Sequence, residues 1–360
     1  MNSKLIEGIA NAVLYEGYML YPYRPSAVKN RQRWNFGVLY PRNYCEIQKG
    51  ADSWFMTTQC VVQGPVSAVV DVKARFLQAV SRQIGKPSAP VRAGNSDPQI
   101  EIIESLEVGG KTLYSWQEAV ERDVSLLSLR IEDLLAAPVS RVFAFAAARE
   151  LESVKDDCGR VAAFIVRRRE SIRGSVKLRA EKCGADLFKL TVVVSNLASL
   201  TDPQVLPREE VLLWSLLSAH SILGVAGGEF ISLTDPPAAL QQVVADCNNV
   251  GTWPVLVGED ATKDAMLSSP IILYDYPQIA PESPGDLFDG TEIDEILALR
   301  ILTLSDDEKR EIRQTDERAR EVLERTETMP VEHFLKLHGV LRGMKPVADL
   351  GVEPAGEDTR

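Results

Sequence analysis

Apolar and polar positions alternate most regularly over residues 172–180. There Ile172, Gly174, Val176, Leu178 and Ala180 are separated by Arg173, Ser175, Lys177 and Arg179. A period of two puts each set on its own face of a strand, so one face is solvated. The turn residues Cys183-Gly184-Ala185-Asp186 lead into 188–194, which is too apolar for an exposed strand and reads as a more deeply buried partner strand. Upstream, Arg167-Arg168-Arg169 reads as an exposed strand face in preference to a basic patch. A second hairpin is predicted over 54–77. Its first half is rich in aromatic and β-branched residues, Gly64-Pro65 breaks it, and Val66, Ala68, Val70, Val72, Ala74 and Phe76 then alternate. Gly109-Gly110 predicts a hairpin over 106–114, the stretches 120–131 and 139–145 supply further strands, and 85–98 reads as a loop.

After Pro203 and Pro207 the pattern changes. Residues 208–219 fit a helix entered through Pro207, and Asp235-Pro236-Pro237 opens another that runs to Cys247. The short apolar runs 253–257 and 271–274 read as buried strands. Thr291 with Asp294, and Ser305 with Glu308, cap two closing helices. The second of these, to about residue 328, is charged nearly all round, with Ile312, Val322 and Leu323 as its large aliphatic anchors. That pattern predicts an exposed helix outside the main core. The fold class is therefore α+β. A β-rich portion of antiparallel hairpins covers 1–200, a mixed α/β region covers 201–345 with helices at its end, and 346–360 is a disordered tail.

Composition narrows the function classes. No window approaches eighteen uncharged apolar residues, so no membrane span is expected, and residues 1–8 carry no signal-peptide pattern; cytoplasmic location follows. The five cysteines are widely spaced, with no Cys-x-x-Cys, and read as reduced thiols. A formal charge of -11 argues against nucleic acid as a partner. His333 and His338 are five residues apart, which does not match one helical face, and the acidic run after Asp275 lacks the calcium-loop pattern. Neither a nucleophile elbow nor a phosphate loop is present; Ser218 and His220, placed on the predicted helix, have the wrong spacing for a serine–histidine pair. No metal, no cofactor and no reaction is predicted.

What stands out is a segment of opposite character to the rest. Six of the nine tyrosines and five cations lie within residues 15–44, with Glu16 as the one acid. Aromatic rings with arginines are typical of recognition surfaces, although alternating aromatics also suit a buried strand. Residues 275–295 carry seven acids and no cations. The two segments could meet within the monomer or engage separate partners. The candidate partner- or anion-binding residues are Tyr21, Tyr23, Arg24, Lys29, Arg31, Arg33, Trp34, Asp275, Tyr276 and Asp286.

The same segments carry a family resemblance. Leu14-Tyr15-Glu16-Gly17, Tyr21-Pro22-Tyr23-Arg24, Lys29-Asn30-Arg31 and the run from Arg33-Trp34 to Leu39 form one part. Ser269-Pro270 through Tyr276-Pro277, then Pro284-Gly285-Asp286-Leu287-Phe288-Asp289, form the other. Together they resemble an uncharacterised bacterial family encoded beside nickel–iron uptake hydrogenases of the actinobacterial, oxygen-tolerant type. The resemblance covers under a quarter of the chain and implies a setting, hydrogenase assembly or accessory function, with no residue roles. The leading expectation is a non-enzymatic accessory or assembly protein that binds a hydrogenase subunit or maturation factor. One rival is an enzyme that holds a small anionic substrate with Arg24, Lys29, Arg31 and Arg33 and uses Asp275 or Asp286 as base. Another is a structural subunit of a larger complex.

Overall fold

Residues 69–87 extend as one strand of 19 residues, and most of the molecule is arranged on it. The computed structural model describes residues 3–24, 27, 30, 36–88, 98–279, 287, 294–315 and 317–330. Helix α1 (Ser3–Tyr15) and the short α2 (Arg42–Gln48) come first. Strands β1 (Phe55–Gln63), β2 (Val69–Pro87), β3 (Ile100–Ile103), β4 (Ser105–Val108), β5 (Lys111–Tyr114) and β6 (Trp116–Arg130) follow. Helix α3 (Ile131–Ala136) leads to β7 (Val139–Phe145), β8 (Ala148–Lys155), β9 (Val161–Arg169), β10 (Ile172–Gly184) and β11 (Leu187–Asn196). Then come α4 (Arg208–Val211), β12 (Leu217–Ala226), β13 (Glu229–Phe230), α5 (Gln241–Ala245), β14 (Trp253–Leu256) and β15 (Ala265–Ser269). The described part closes with α6 (Asp294–Leu302), α7 (Asp306–Thr315) and α8 (Glu317–Glu327).

The fold is α+β with antiparallel sheets. One sheet runs β13-β1-β11-β10-β7, and the other runs β14-β15-β12-β2-β9-β8, with β6 and β3 also on β2. Residues 69–77 of β2 pair with β12 on one edge and β6 on the other; 81–85 pair with β9 and 84–87 with β3. Alternate residues Val70, Val72, Ala74 and Phe76 face the five-stranded sheet and share a core with Val176, Leu178, Leu190 and Val192. On the opposite face Leu77 and Ala79 pack among Leu14, Tyr15, Tyr18, Val322 and Leu323. Two sheets and a layer of helices result, because β2 is buried on both faces along residues 74–80. Gly174 allows the close approach of β7: a Cβ there would lie 2.3 Å from Cζ of Phe143 and 2.7 Å from the Ser195 carbonyl oxygen. Residue 200 is not a boundary between sheets, since β12, β14 and β15 extend the sheet of β2 and β13 joins β1.

The hairpins predicted over 106–114 and 172–196 form, with Val108 opposite Lys111 and Val176 opposite Val194. Four other expectations are corrected. Strands β1 and β2 exist, but the predicted 54–77 hairpin does not: β1 pairs with β11 and β13, and β2 belongs to the other sheet. Side-chain alternation finds a strand and is silent on its partner. The 208–219 helix ends after one turn and a 3-10 turn at Trp214, and the following apolar run becomes β12, buried along nearly its whole length. Residues 271–274 form no strand; Ile271 and Leu273 pack inward while Ile272 and Tyr274 are exposed. The helix predicted over 305–328 is two helices, α7 and α8, and it is not outside the core. Its aliphatic residues Ile312, Val322 and Leu323 are buried against the N-terminal tyrosines. The capping box forms: Ser305 N–H donates to Oε2 of Glu308 (2.9 Å), and Glu308 N–H to Oγ of Ser305 (3.3 Å). The predicted Thr291 cap and the 346–360 tail lie outside the described residues. No helix among the described residues is long and apolar enough to cross a membrane.

Arg75, Glu121, Tyr15 and Arg318 tie α1 and α8 to the sheet. The Tyr15 hydroxyl donates to Oε1 of Glu121 (2.6 Å), Arg75 donates to Asn11 (2.8 Å) and Glu121 (3.3 Å), and Arg318 lies over the Tyr15 ring at 3.8 Å. Docking of α8 is therefore part of the fold. Truncating Leu323 to Ala is expected to destabilise the protein by about 2–4 kcal/mol in urea unfolding. A loss below about 0.5 kcal/mol would show that the helix contributes little.

His220 sits on β12, opposite Arg75, with 0% exposure. Its Nδ1 donates to the Ser218 carbonyl (3.0 Å), and its Nε2 has no partner. Protonating Nε2 would bury an N–H without an acceptor. Burial above all, with the Arg75 charge adding to it, lowers the pKa from 6.5 to about 4. In that interval the unfolded chain binds the proton and the folded chain does not, so stability falls as pH drops from 6.5 towards 4. The fall expected from this one group is about 3 kcal/mol, and it should vanish in His220→Gln. A pH profile of unfolding free energy that is identical in the two proteins would refute the assignment.

Candidate functional site

Most of the island's tyrosines face inward. Tyr15, Tyr18, Tyr23, Tyr40 and Tyr44 are all buried and fill the seam between the sheet of β2 and the C-terminal helices. Tyr23 is 1% exposed; its hydroxyl donates to the Leu287 carbonyl (2.7 Å), and its ring meets Tyr21 edge-on at 6.3 Å. Tyr21 in turn lies beneath Arg300, 5.7 Å from its ring centre. Arg24 pairs with Glu308 (3.0 Å) and Glu311 (3.7 Å) of α7. Glu308 is held below the usual carboxylate range first by the Ser305 backbone N–H and only secondarily by Arg24. The Asn30 amide staples the turn, accepting from Leu20 N–H (2.8 Å) and donating to the Leu20 and Arg24 carbonyls (2.9 Å each). Lys29, Arg31, Arg33, Trp34 and Asp286 lie outside the described residues.

The island meets the acidic segment where the Tyr23 hydroxyl reaches the Leu287 carbonyl, and it also touches the residues just before that segment. Besides the Tyr23–Leu287 bond, Gly37 has φ of 57° and presses on Pro270, where a Cβ would come within 2.5 Å of Cγ. Any side chain at 37 would clash and would strain the left-handed backbone. Arg24 is matched by carboxylates of α7, and Asp275 is engaged elsewhere, so these two candidates are not brought together as an ion pair.

Pro270 opens a strap over residues 270–279. Ile271 and Leu273 pack on the cluster formed by α1, β14 and β15; Ile272 and Tyr274 are 71% and 84% exposed. The strap is pinned just after its exposed residues. Asp275 accepts from the Ser232 hydroxyl (2.5 Å) and from Leu256 N–H (2.7 Å). Tyr276 N–H donates to the Leu256 carbonyl (2.8 Å), and its hydroxyl donates to the Thr262 carbonyl (2.8 Å). Asp275 therefore closes the free end of the β14 ladder. Burial chiefly, then the charges of Asp275, Asp260 and Glu229, raise the Tyr276 phenol pKa.

Ser232 also joins the strap to a half-open cleft of 430 Å³. Its hydroxyl accepts from Thr234 N–H (3.1 Å) and Asp235 N–H (2.8 Å), fixing one wall of that cleft. Asn248 and Asn249 form the floor, held on Gln59 by Asn248 N–H to Gln59 Oε1 (2.7 Å) and Gln59 N–H to Asn249 Oδ1 (2.7 Å). Trp253, 52% exposed, and Cys247 complete the lining, which contains no Asp, Glu, Lys or Arg. Burial raises the Cys247 thiol pKa to about 11, so it is neutral at ordinary pH. Among the described residues no group of three or more His, Cys, Asp or Glu side chains is placed to hold a metal ion.

No model of a known protein family matches the chain, and no curated protein is significantly similar to it. Of the ten candidate residues, Asp275 and Tyr276 lie on the strap, where they serve as anchors. Sequence reasoning missed Ile272, Trp253 and Ser232. The first had a signal in the alternation of 271–274, whose polarity is invisible because all four residues are apolar or aromatic. Removing the anchor by Asp275→Ala leaves the N–H of buried Leu256 without an acceptor and is expected to cost about 1–3 kcal/mol. Ile272→Ser should change stability by less than about 0.5 kcal/mol. Equal melting of the two variants would show that Asp275 does not hold the strap.

Proposed function

We propose that the protein is a non-enzymatic accessory or assembly protein and that the strap at 270–279 docks its protein partner. One observation carries the reading: Ile272 and Tyr274 are 71% and 84% exposed on a backbone that Asp275 and Tyr276 fix to β14 and its flanking loop. Single exposed apolar residues are ordinary on a surface. Two of them on a pinned strap are different, because binding then orders little that was free.

The partner class comes from the resemblance of the 14–39 and 269–289 segments to a family encoded with nickel–iron uptake hydrogenases: a hydrogenase subunit or maturation factor, met in the cytoplasm. The rival, an enzyme acting on an anion between the island and the acidic segment, has less support. Arg24 is matched by Glu308 and Glu311, and Asp275 by Ser232 and Leu256.

The test compares tagged wild type with Ile272→Ser/Tyr274→Ser after purification from a host that expresses the hydrogenase. The wild type is expected to bring down a hydrogenase subunit or maturation factor, with the yield falling at raised salt. The variant should melt like the wild type, within about 0.5 kcal/mol, and retain less than a tenth of that partner. Full retention by the variant would sink the strap as the docking surface. Absence of any hydrogenase-linked protein from the wild-type sample would sink the partner class.

A further inference from the structure

Four strands end the two sheets: β13 and β7 in one, β14 and β8 in the other. An end strand presents unpaired backbone groups and usually carries some protection against further pairing. Strand β13 is only two residues long, and its Phe230 N–H is taken up by the Lys263 carbonyl (2.7 Å). Strand β14 contains Pro254, and Asp275 and Tyr276 close its Leu256 end. Strand β8 carries Arg149, Glu150, Glu152 and Lys155. Strand β7 differs from all three. It runs for 7 residues with one charge, Arg141, and that guanidinium turns to the Ser125 carbonyl on β6 (2.8 Å). Among the described residues no further strand lies on its outer edge.

The face beside this edge follows from the register. Strand β10 buries Ile172, Gly174, Val176 and Leu178 and exposes Arg173 and Lys177. Arg173 stands opposite Ala144, Ser175 opposite Val142, and Lys177 opposite Ser140. Directly opposite residues sit side by side on one face of a sheet. The outer row of β7 is therefore Ser140, Val142 and Ala144, all exposed, with Val142 at 57%. Ser140 and Ala144 are too short to cover the Lys177 and Arg173 stems beside them. Neither cation has a carboxylate within ion-pair distance among the described residues, whereas Arg179, next on the same face, has Glu181 (2.7 Å). A chain with a net charge of -11 thus keeps two unmatched cations beside the sheet end that it leaves bare.

We propose that β7 takes an extended acidic segment of a partner protein as a sixth strand of its sheet, with carboxylates opposite Ser140 and Ala144 and an apolar side chain opposite Val142. Backbone hydrogen bonds supply the pairing in such an addition, and alternate side chains supply the selectivity. Two strand spacings, about 10 Å, separate β10 from the added strand. A lysine or arginine stem leaning over Ser140 or Ala144 and a glutamate reaching back span that gap together. The required pattern is acid–x–apolar–x–acid, because side chains on one face recur at every second residue. A second copy of β7 does not supply it. Antiparallel pairing about Val142 sets Ser140 opposite Ala144, which leaves Arg173 and Lys177 without a carboxylate. The edge is also distinct from the strap, since β7 and β14 belong to different sheets.

Titrating the full chain with three fluorescently labelled peptides of palindromic sequence tests the proposal, since a palindrome presents the same face in either strand direction. The first is Thr-Glu-Thr-Val-Thr-Glu-Thr. The second, Glu-Thr-Thr-Val-Thr-Thr-Glu, has the same composition and charge but carries its carboxylates on the other face. The third replaces both acids of the first with lysine. The first is expected to bind one-to-one, about tenfold more tightly than the second, and the third not to bind. Hydrogen exchange should slow across 139–145 when the first peptide is bound and stay unchanged at the strap. Arg173→Gln/Lys177→Gln, which alters two exposed side chains, should melt like the wild type and bind the first peptide no more tightly than the second. Equal affinity of the wild type for the first two peptides, or no binding of the first, would overturn the proposal. So would unchanged affinity in the double variant, unaltered exchange across 139–145, or a peptide-free dimer in which those amides are already protected.

Discussion

Strand β2 cannot be satisfied locally. Its 19 residues expose two edges of backbone donors and acceptors, and buried peptide groups must be paired. The nearest strand in sequence, β1, goes to the other sheet, so β2 takes β12 and β9 along one edge and β6 and β3 along the other. Residues from 100 to 226 are therefore needed to complete one strand that begins at 69. That requirement draws the chain beyond residue 200 back into the sheet and places β14 and β15 outside β12. The strap, which closes the free edge of β14 through Asp275, is the last consequence of the same pairing.

The two faces of β2 then decide what lies where. Its inner face reaches past the five-stranded sheet, and beyond Phe76 it turns polar, with Gln78 and Arg82 still buried. Its outer face carries Arg75, Leu77 and Ala79 and must be covered along its length, which α1, the tyrosine-rich segment and α8 do together. Arg75 on that face is tolerable because Asn11 and Glu121 meet it, and Glu121 is shared in turn with Tyr15 and Arg318. A charged group under a helix layer stays only if such partners converge.

Much of the strand content was legible in the sequence because alternation is a local property. The β10–β11 hairpin has both the alternation and a short turn, so strand and partner follow together. The β1–β2 pair had the first and not the second: Gly64-Pro65 marks a break, and a break is equally compatible with a turn or a change of sheet. The 208–219 segment was misread because an apolar run after a proline suits a helix start, while burial on both faces made its second half a strand. The charged α7 and α8 were misplaced for a related reason. Few aliphatic anchors suffice when the surface they meet, the tyrosine seam, is itself large and apolar.

That seam also explains why composition alone does not say which way the island's tyrosines face. Tyrosine and arginine serve a binding surface and an internal seam by the same physics: broad contact area, few rotatable bonds and a polar tip that needs a partner. What separates the two cases is whether the tip finds its partner inside the chain. Tyr23 finds the Leu287 carbonyl, Tyr15 finds Glu121, and Arg24 finds Glu308, so these groups have little left to offer a second molecule. Tyr274, 84% exposed and next to a residue that is fixed by two hydrogen bonds, has its ring area still available. The proposed docking surface therefore lies not in the segment richest in aromatic residues but in the one whose aromatic side chain the fold leaves uncovered while holding its backbone still.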